Sequence, residues 1–181
     1  MQADWEVEIG GEAPIIDALW PGCIDLRAFP ERVIELIELR DLPQLAEALV
    51  RLNRPGSPVW TSKCDVWTVA EIEKFDRFEL DAPPDAFVLG GGCYIDLLPA
   101  RVERWAAHQD AVEFCRQCRD RLRAISMRSS RVDLIVREAL SAEGQSAFGI
   151  TAYVSACGAT ESLARGQLQR ALSAFVDAVV S

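Results

Sequence analysis

The sequence predicts an α+β protein in which a mixed or antiparallel sheet has helices packed on it. Three observations favour this class. Segments that alternate apolar and polar residues, typical of half-buried strands, occur near the start of the chain and again in its last third. Segments with apolar residues at three- and four-residue spacing, typical of helices, lie between and after them. Half of the 181 residues are hydrophobic, enough for a substantial core.

The first half of the chain is predicted to form three strands and two helices. Pro30 suits the first position of a helix, where its missing N–H costs nothing, and Ile34 and Ile37 should then point inward. Asp41 followed by Gln44 has the pattern of a capping box at the start of the second helix. The predicted elements are strands at 5–9, 23–26 and 57–69 and helices at 30–40 and 41–53.

The stretch 57–69, SPVWTSKCDVWTV, is the most distinctive of these strands because it combines two tryptophans with a lysine, a cysteine and an aspartate. Alternation places its residues on two faces. One face is expected to hold Trp60, Ser62, Cys64 and Val66, and the other Val59, Thr61, Lys63, Asp65 and Trp67. Both faces contain apolar bulk, which predicts a central strand with Lys63 and Asp65 as a partly buried pair.

The second half is predicted to end in an antiparallel pair of strands and a docked helix. A turn around Glu143-Gly144 should join the two strands, and Thr160 should cap the helix after Gly158 breaks the second strand. Along that helix, Leu168 and Phe175 belong to an apolar stripe that should face the sheet. The predicted elements are strands at 87–98, 132–136 and 148–156 and helices at 99–125 and 160–179.

We expect a single domain, 1–181, built from two closely packed halves that meet near Pro83-Pro84. Residues 1–85 hold 18 acidic and 8 basic side chains, whereas 86–181 are nearly neutral and contain seven arginines between Arg116 and Arg137. The similar runs at 22–26 and 92–97, each followed by proline, predict a pseudo-repeat of two β-α-β halves. They place Asp25 and Asp96 at matching positions.

The net charge of −9 argues against nucleic acid and anionic membranes as partners, because both attract clustered positive charge. The N-terminus lacks a signal-peptide pattern, and no apolar run has the length of a membrane span. These features predict a cytoplasmic protein. An acidic half beside an arginine-rich one is self-complementary, so a homodimer is also predicted; the small-molecule or protein ligand stays open.

Cys115 and Cys118 form a C-x-x-C pattern, with His108 seven residues earlier on the same helical stripe. Two thiols and one imidazole suit zinc if another element supplies a fourth ligand. The motif is predicted deep inside a helix among apolar neighbours, where no helix terminus activates the thiol. We therefore expect buried free thiols, no stoichiometric metal and no disulfide.

Two sets of residues are candidates for a site. Lys63, Cys64 and Asp65 are the best catalytic candidates, because a lysine and a carboxylate in a partly buried strand suit acid–base chemistry. Ser155, Cys157, Gly158 and Thr160 are candidates for ligand binding, because they lie where a strand meets a helix N-terminus. The glycines at 90–92 match neither nucleotide-binding motif, so no cofactor is predicted.

No coherent catalytic set emerges from these residues, and the chain has a single histidine. A non-enzymatic binding or interaction module is therefore the first hypothesis. An enzyme with a cleft at Lys63, Cys64 and Asp65 is the alternative, and a zinc or thiol-redox protein using Cys115 and Cys118 is a weaker one. A deep cleft at Lys63 would favour the enzyme, and sulfurs converging on one point would favour the metal.

Overall fold

The structure is a computed structural model that describes residues 1–10, 16–18, 20–69, 78–82, 89–141 and 143–181, with the backbone alone at 68 and 69. Its strands are β1 (Gln2–Glu8), β2 (Ile16–Asp17), β3 (Val59–Val69), β4 (Leu89–Pro99), β5 (Ser130–Leu140) and β6 (Ser146–Gly158). Its α-helices are α1 (Leu45–Asn53), α2 (His108–Arg123) and α3 (Glu161–Val180). The predicted boundary at Pro83-Pro84 lies outside the described residues.

The described strands form one mixed six-stranded sheet in the order β1-β5-β6-β4-β3, with β2 beside β5 beyond the end of β1. β1 and β2 run parallel to β5, and the remaining pairs are antiparallel. The three helices pack on this sheet, which confirms the α+β class. Strands from both halves of the chain enter the same sheet.

One face of the sheet packs against all three helices. Alternate residues of β5 and β6 point to it, among them Leu134 and Ile150, which are at most 1% exposed. On α3 the stripe that includes Leu168 and Phe175 is buried against these strands, as predicted, and Phe175 is fully buried. The side-chain hydroxyl of Thr160 accepts the N–H of Leu163 and caps α3, which confirms the predicted start of this helix.

In the part of the chain that the structure describes, no helix packs on the opposite side of the sheet, which we call the uncovered face. Its two ends are closed by loop residues. At one end the segment after β2 packs against the sheet in a small buried cluster, and at the other Leu80 packs on Cys157. That first cluster consists of Ile16, Ala18, Trp60, Leu98 and Ala139. Between these ends, Tyr94, Tyr153 and Asp133 are half-buried.

β3 forms as predicted but contains a bulge that changes its faces. Thr61 pairs with Leu97 and Cys64 with Ile95, so two residues of β3, Ser62 and Lys63, lie opposite the single residue between those partners. The prediction that one face carries Trp60 together with Cys64 and Val66 is therefore wrong. Trp60 lies on the uncovered face, whereas Cys64 and Val66 pack against the helix-side core.

β3 is also the last strand of the described sheet, not a central one as predicted. Side chains satisfy several backbone groups along it. The N–H of Thr61 donates to the Asn53 side chain, the carbonyl of Ser62 accepts from the Trp20 indole, and the N–H of Val66 donates to Asp65. An edge whose backbone groups are already occupied is a poor template for pairing with another strand.

Three further predictions are wrong. Residues 30–40 form two short 3-10 turns that are separated by an extended backbone at Leu36, so no continuous apolar stripe forms. Ile34 and Ile37 consequently face solvent, with 80% and 63% of their surface exposed. The helix expected from Pro99 begins only at His108. Residues 23–26 form no strand, so the pseudo-repeat is not shown: Asp25 lies in a turn paired with Arg27, whereas Asp96 lies within β4.

Candidate functional site on the uncovered face

A row of acidic and aromatic side chains crosses the uncovered face. The register pairs Asp65 with Tyr94, Tyr94 with Tyr153, Tyr153 with Asp133, and Asp133 with Asp4. Side chains of directly paired residues point to the same face, so these five lie side by side across five strands. The two tyrosine rings are in contact, with centroids 6.0 Å apart. Two half-buried rings with carboxylates on either side are thus presented away from the helices.

Trp67 extends this aromatic surface in the next row. Its ring lies against Gly92, where a Cβ atom would be only 2.5 Å from Cζ2 of the indole. The glycine is therefore needed for the ring to lie down on the neighbouring strand. The indole is 6.1 Å from the Tyr153 ring, and the rings of Trp67, Tyr94 and Tyr153, which we call the aromatic cluster, are contiguous.

A depression of about 470 Å³ lies beside the aromatic cluster, between Tyr153 and the edge of β1. Its floor includes Arg131 and Asp133, whose side chains form an ion pair with Nε of the arginine 2.7 Å from Oδ2 of the aspartate. This ion pair holds the guanidinium of Arg131 along the floor. The ring of Tyr153 belongs to the aromatic cluster and also lines the depression, so the two adjoin.

Asp96 is the buried ionisable group of this face. It is 4% exposed and accepts a 2.6 Å hydrogen bond from the Thr151 hydroxyl. Burial raises the pKa of the Asp96 carboxyl, while the Thr151 hydrogen bond and the charges of Lys63 and Arg137 act in the opposite direction. The same carboxyl and Asp65 add to the desolvation that raises the pKa of Tyr94 to about 12, so that phenol stays neutral at physiological pH.

The predicted catalytic trio does not form one group. Lys63 lies on the uncovered face near Asp96, with its ammonium 5.9 Å from the Trp20 ring. Asp65 is exposed, its carboxylate accepts the N–H of Val66, and among described residues no ion pair joins it to Lys63. Cys64 points to the opposite face, where burial raises its pKa to about 12. The predicted partly buried Lys63–Asp65 pair is wrong; the buried carboxyl near Lys63 is Asp96.

The four predicted ligand-binding residues do not converge either. Ser155 and Cys157 lie on the uncovered face, with Cys157 buried beneath Leu80. Gly158 is packed against the first turn of α3, since a Cβ there would be 2.6 Å from the Ala164 nitrogen. Thr160 caps the same helix from the other side of the sheet. The junction between β6 and α3 is therefore closely packed.

All six cysteines are free thiols. Cys115 and Cys118 are fully buried about two turns into α2, less deep along the helix than predicted, because α2 begins at His108 and not at Pro99. Burial raises both pKa values, that of Cys118 to about 12. The His108 ring packs against Phe148. Within the described residues, no three histidine, cysteine or acidic side chains are arranged to hold a metal ion.

Sequence reasoning missed Tyr94, Tyr153, Asp133 and Asp96 as members of one surface. The available signal was period-two alternation, which puts Tyr94 and Asp96 on one face of their strand and Tyr153 on one face of another. Alternation within a strand does not tell which residues of separate strands lie opposite each other. That assignment needs the register.

Comparison of the chain with family models, with curated proteins and with solved structures found no match. No helix among the described residues has the length and apolar character needed to cross a membrane.

Proposed function

We propose that the protein is a binding module that recognises its ligand on the uncovered face of the sheet. One observation carries this proposal: Trp67, Tyr94 and Tyr153 form a contiguous aromatic cluster on a sheet face on which no helix of the described residues packs. Aromatic side chains supply large contact areas and are enriched where proteins bind their partners. A solvated sheet face usually carries polar residues, so three rings in contact there call for a functional explanation.

The close packing of Gly92 under Trp67 supports the same proposal. The indole is held flat by the strand beneath it, and a ring fixed before binding loses little conformational entropy when a ligand arrives. The charged groups around the cluster then supply directional contacts. Asp65 borders it on one side and the Arg131–Asp133 pair on the other.

An enzyme remains the second candidate, and Asp96 is the observation that favours it. A buried carboxyl with a raised pKa, next to Lys63, has the features of a general acid. Asp96 and Lys63, rather than Cys64 and Asp65, are then the residues to replace. Loss of turnover in Asp96→Asn with retained ligand affinity would favour this candidate.

A fragment screen by ¹H–¹⁵N correlation spectroscopy tests the proposed function without knowledge of the ligand. The mixture should contain neutral, anionic and cationic aromatic and peptide-like fragments. Hits are expected to shift the indole N–H of Trp67 and the amides of Tyr94 and Tyr153. The internal control is the indole N–H of Trp105, which is buried on the helix side and should not shift. Hits that cluster at any other surface, and leave these signals in place, would contradict the proposal.

A further inference from the structure

We propose that the ligand of the uncovered face is a positively charged, extended peptide whose lysine or arginine side chain lies on the rings of Tyr94 and Trp67 beside Asp65. This inference rests on the proposed function and names the chemistry of the ligand. It depends on the contacts around Asp65 and on the extent of the surface.

Within the described residues, Asp65 is the carboxylate of the row that forms no ion pair. Arg131 lies 2.7 Å from Asp133, and Arg123 reaches Asp4 at 3.7 Å. Among the described residues, no lysine or arginine lies within ion-pair distance of Asp65, whose carboxylate accepts only the N–H of Val66. A ligand cation at this point meets a carboxylate that pairs with no cationic side chain of the described residues.

The aromatic rings next to this carboxylate are suited to the same charge. A ring carries negative electrostatic potential on its face, and ammonium and guanidinium groups bind there, most strongly to tryptophan. Tyr94 is directly paired with Asp65, and Trp67 follows two residues later on the same face. Asp65 and Asp96 both lie close enough to Tyr94 to disfavour any further negative charge at this point. An anionic group would therefore be repelled here.

The wider charge distribution favours the same class of ligand. Among the described strand residues, the uncovered face carries six carboxyls against three cations, and the whole chain has a net charge of −9. Beyond the strands, Arg27 lies over the Trp60 ring but is itself paired with Asp25. The six carboxyls are those of Asp4, Glu6, Glu8, Asp65, Asp96 and Asp133, and the cations are Lys63, Arg131 and Arg137. Complementary charge accelerates encounter and selects the partner.

The shape of the surface favours a peptide over a small cation. Small molecules bind in pockets that enclose most of their surface. Here the row from Asp65 to Asp4 spans five strands, about 19 Å at the usual strand spacing, and no helix of the described residues lies over it. An extended chain of about six residues covers that distance. Its other basic side chains then reach towards Glu6 and Asp133.

The test uses three decapeptides with the same glycine–serine background. The first has arginine at three alternate positions, the second has citrulline there, and the third has glutamate. Titrations are followed at the Trp67 indole and at the Tyr94 and Tyr153 amides. We expect the arginine peptide to bind at least about tenfold more tightly than the citrulline peptide, and its affinity to fall as salt is raised from 50 to 500 mM, as expected for a charge-dependent contact.

Two variants locate the contact. Asp65→Asn should weaken binding of the arginine peptide about fivefold or more, and because Asp65 is exposed this variant should fold normally. Asp120→Asn makes the same chemical change on an exposed residue of α2, on the other side of the sheet, and should leave the affinity unchanged. Equal losses of affinity in both variants would mean that only the overall charge of the protein matters. That result would overturn the proposed position of the ligand cation beside Asp65.

The failure of this inference is distinguishable from the failure of the proposed function. Equal shifts of the uncovered face by the arginine and citrulline peptides would overturn the charge preference and leave the binding face in place. If free L-arginine amide binds as tightly as the arginine peptide, the ligand is a small cation and the proposal of an extended peptide is overturned. If neither these peptides nor the fragment mixture shifts the Trp67, Tyr94 and Tyr153 signals, both proposals fall.

Discussion

The helix-covered face and the uncovered face of the sheet are built from the same strands, and their side chains differ in kind. On the covered face, Leu134 and Ile150 are buried beneath α2 and α3. On the uncovered face, the residues between them include Asp133, Thr151 and Tyr153. The covered face therefore stabilises the fold by burial of apolar area, whereas the uncovered face carries charged and aromatic groups, of which Asp65 has no ion-pair partner among the described residues.

The sharpest test of this difference is to remove one large ring from each face. Phe175→Ala, on the covered side, should lower the free energy of unfolding by about 3–5 kcal/mol, the usual range for a buried large-to-small change. Tyr153→Ala, on the uncovered side, should lower it by only about 1 kcal/mol, because the ring is half-buried. Urea denaturation measures both losses of unfolding free energy, provided that the slope of this free energy against urea concentration is unchanged. Equal losses would mean that the uncovered face is as much a core as the covered one.

A smaller effect is expected where the uncovered face contains its buried polar pair. Thr151→Val should cost about 1–3 kcal/mol, because the carboxyl of Asp96 loses the hydroxyl that donates to it and stays buried. The double variant Thr151→Val, Asp96→Leu should recover much of that loss, since no polar group then remains unsatisfied. The comparison is made by thermal and urea unfolding at pH 7. An additive double variant would show that the two side chains do not interact.

The pH dependence of stability should also reflect Asp96. Burial raises its folded pKa above the ordinary value of 3.8, so the folded state holds the proton more tightly than the unfolded state. The stability contribution of Asp96 is thus complete below about pH 4, declines as pH rises through the folded pKa, and is then constant. Asp96→Asn should remove this decline, and unfolding free energies measured from pH 3 to 8 would show it. If the unfolding free energies of the protein and of Asp96→Asn change in parallel with pH, the raised pKa of Asp96 is contradicted.

The smallest effect is expected from Lys63 and Asp65. Because Asp65 is exposed and the described chain shows no ion pair between the two, Asp65→Asn and Lys63→Met should each change stability by about 0–1 kcal/mol and should add in the double variant. If the double variant loses much less stability than the sum of the two single losses, the buried pair that the sequence predicted would be supported. Lys63→Met should also raise the pKa of Asp96, because one stabilising cation is removed.

Several parts of the fold were predicted correctly because their signals are local. The strands around β5 and β6, the turn at Glu143-Gly144 and the buried stripe of α3 all follow from residue periodicity and turn chemistry within a few tens of residues. For the candidate site, the sequence correctly placed Lys63, Asp65 and Trp67 on one face. It also identified Thr160 as a helix cap, although as part of a ligand site that does not converge.

The tertiary structure alone decided which residues meet and which face is covered. One extra residue at Ser62-Lys63 reverses the faces of β3, and nothing in the alternation of the strand marks the bulge. The row that joins Asp65 to Tyr94 and Tyr153 depends on the pairing of three strands that are far apart in sequence. Periodicity reports how a segment is oriented towards its own core. Register is set by hydrogen bonds and packing between segments, and for that physical reason the aromatic cluster appears only when the sheet is assembled.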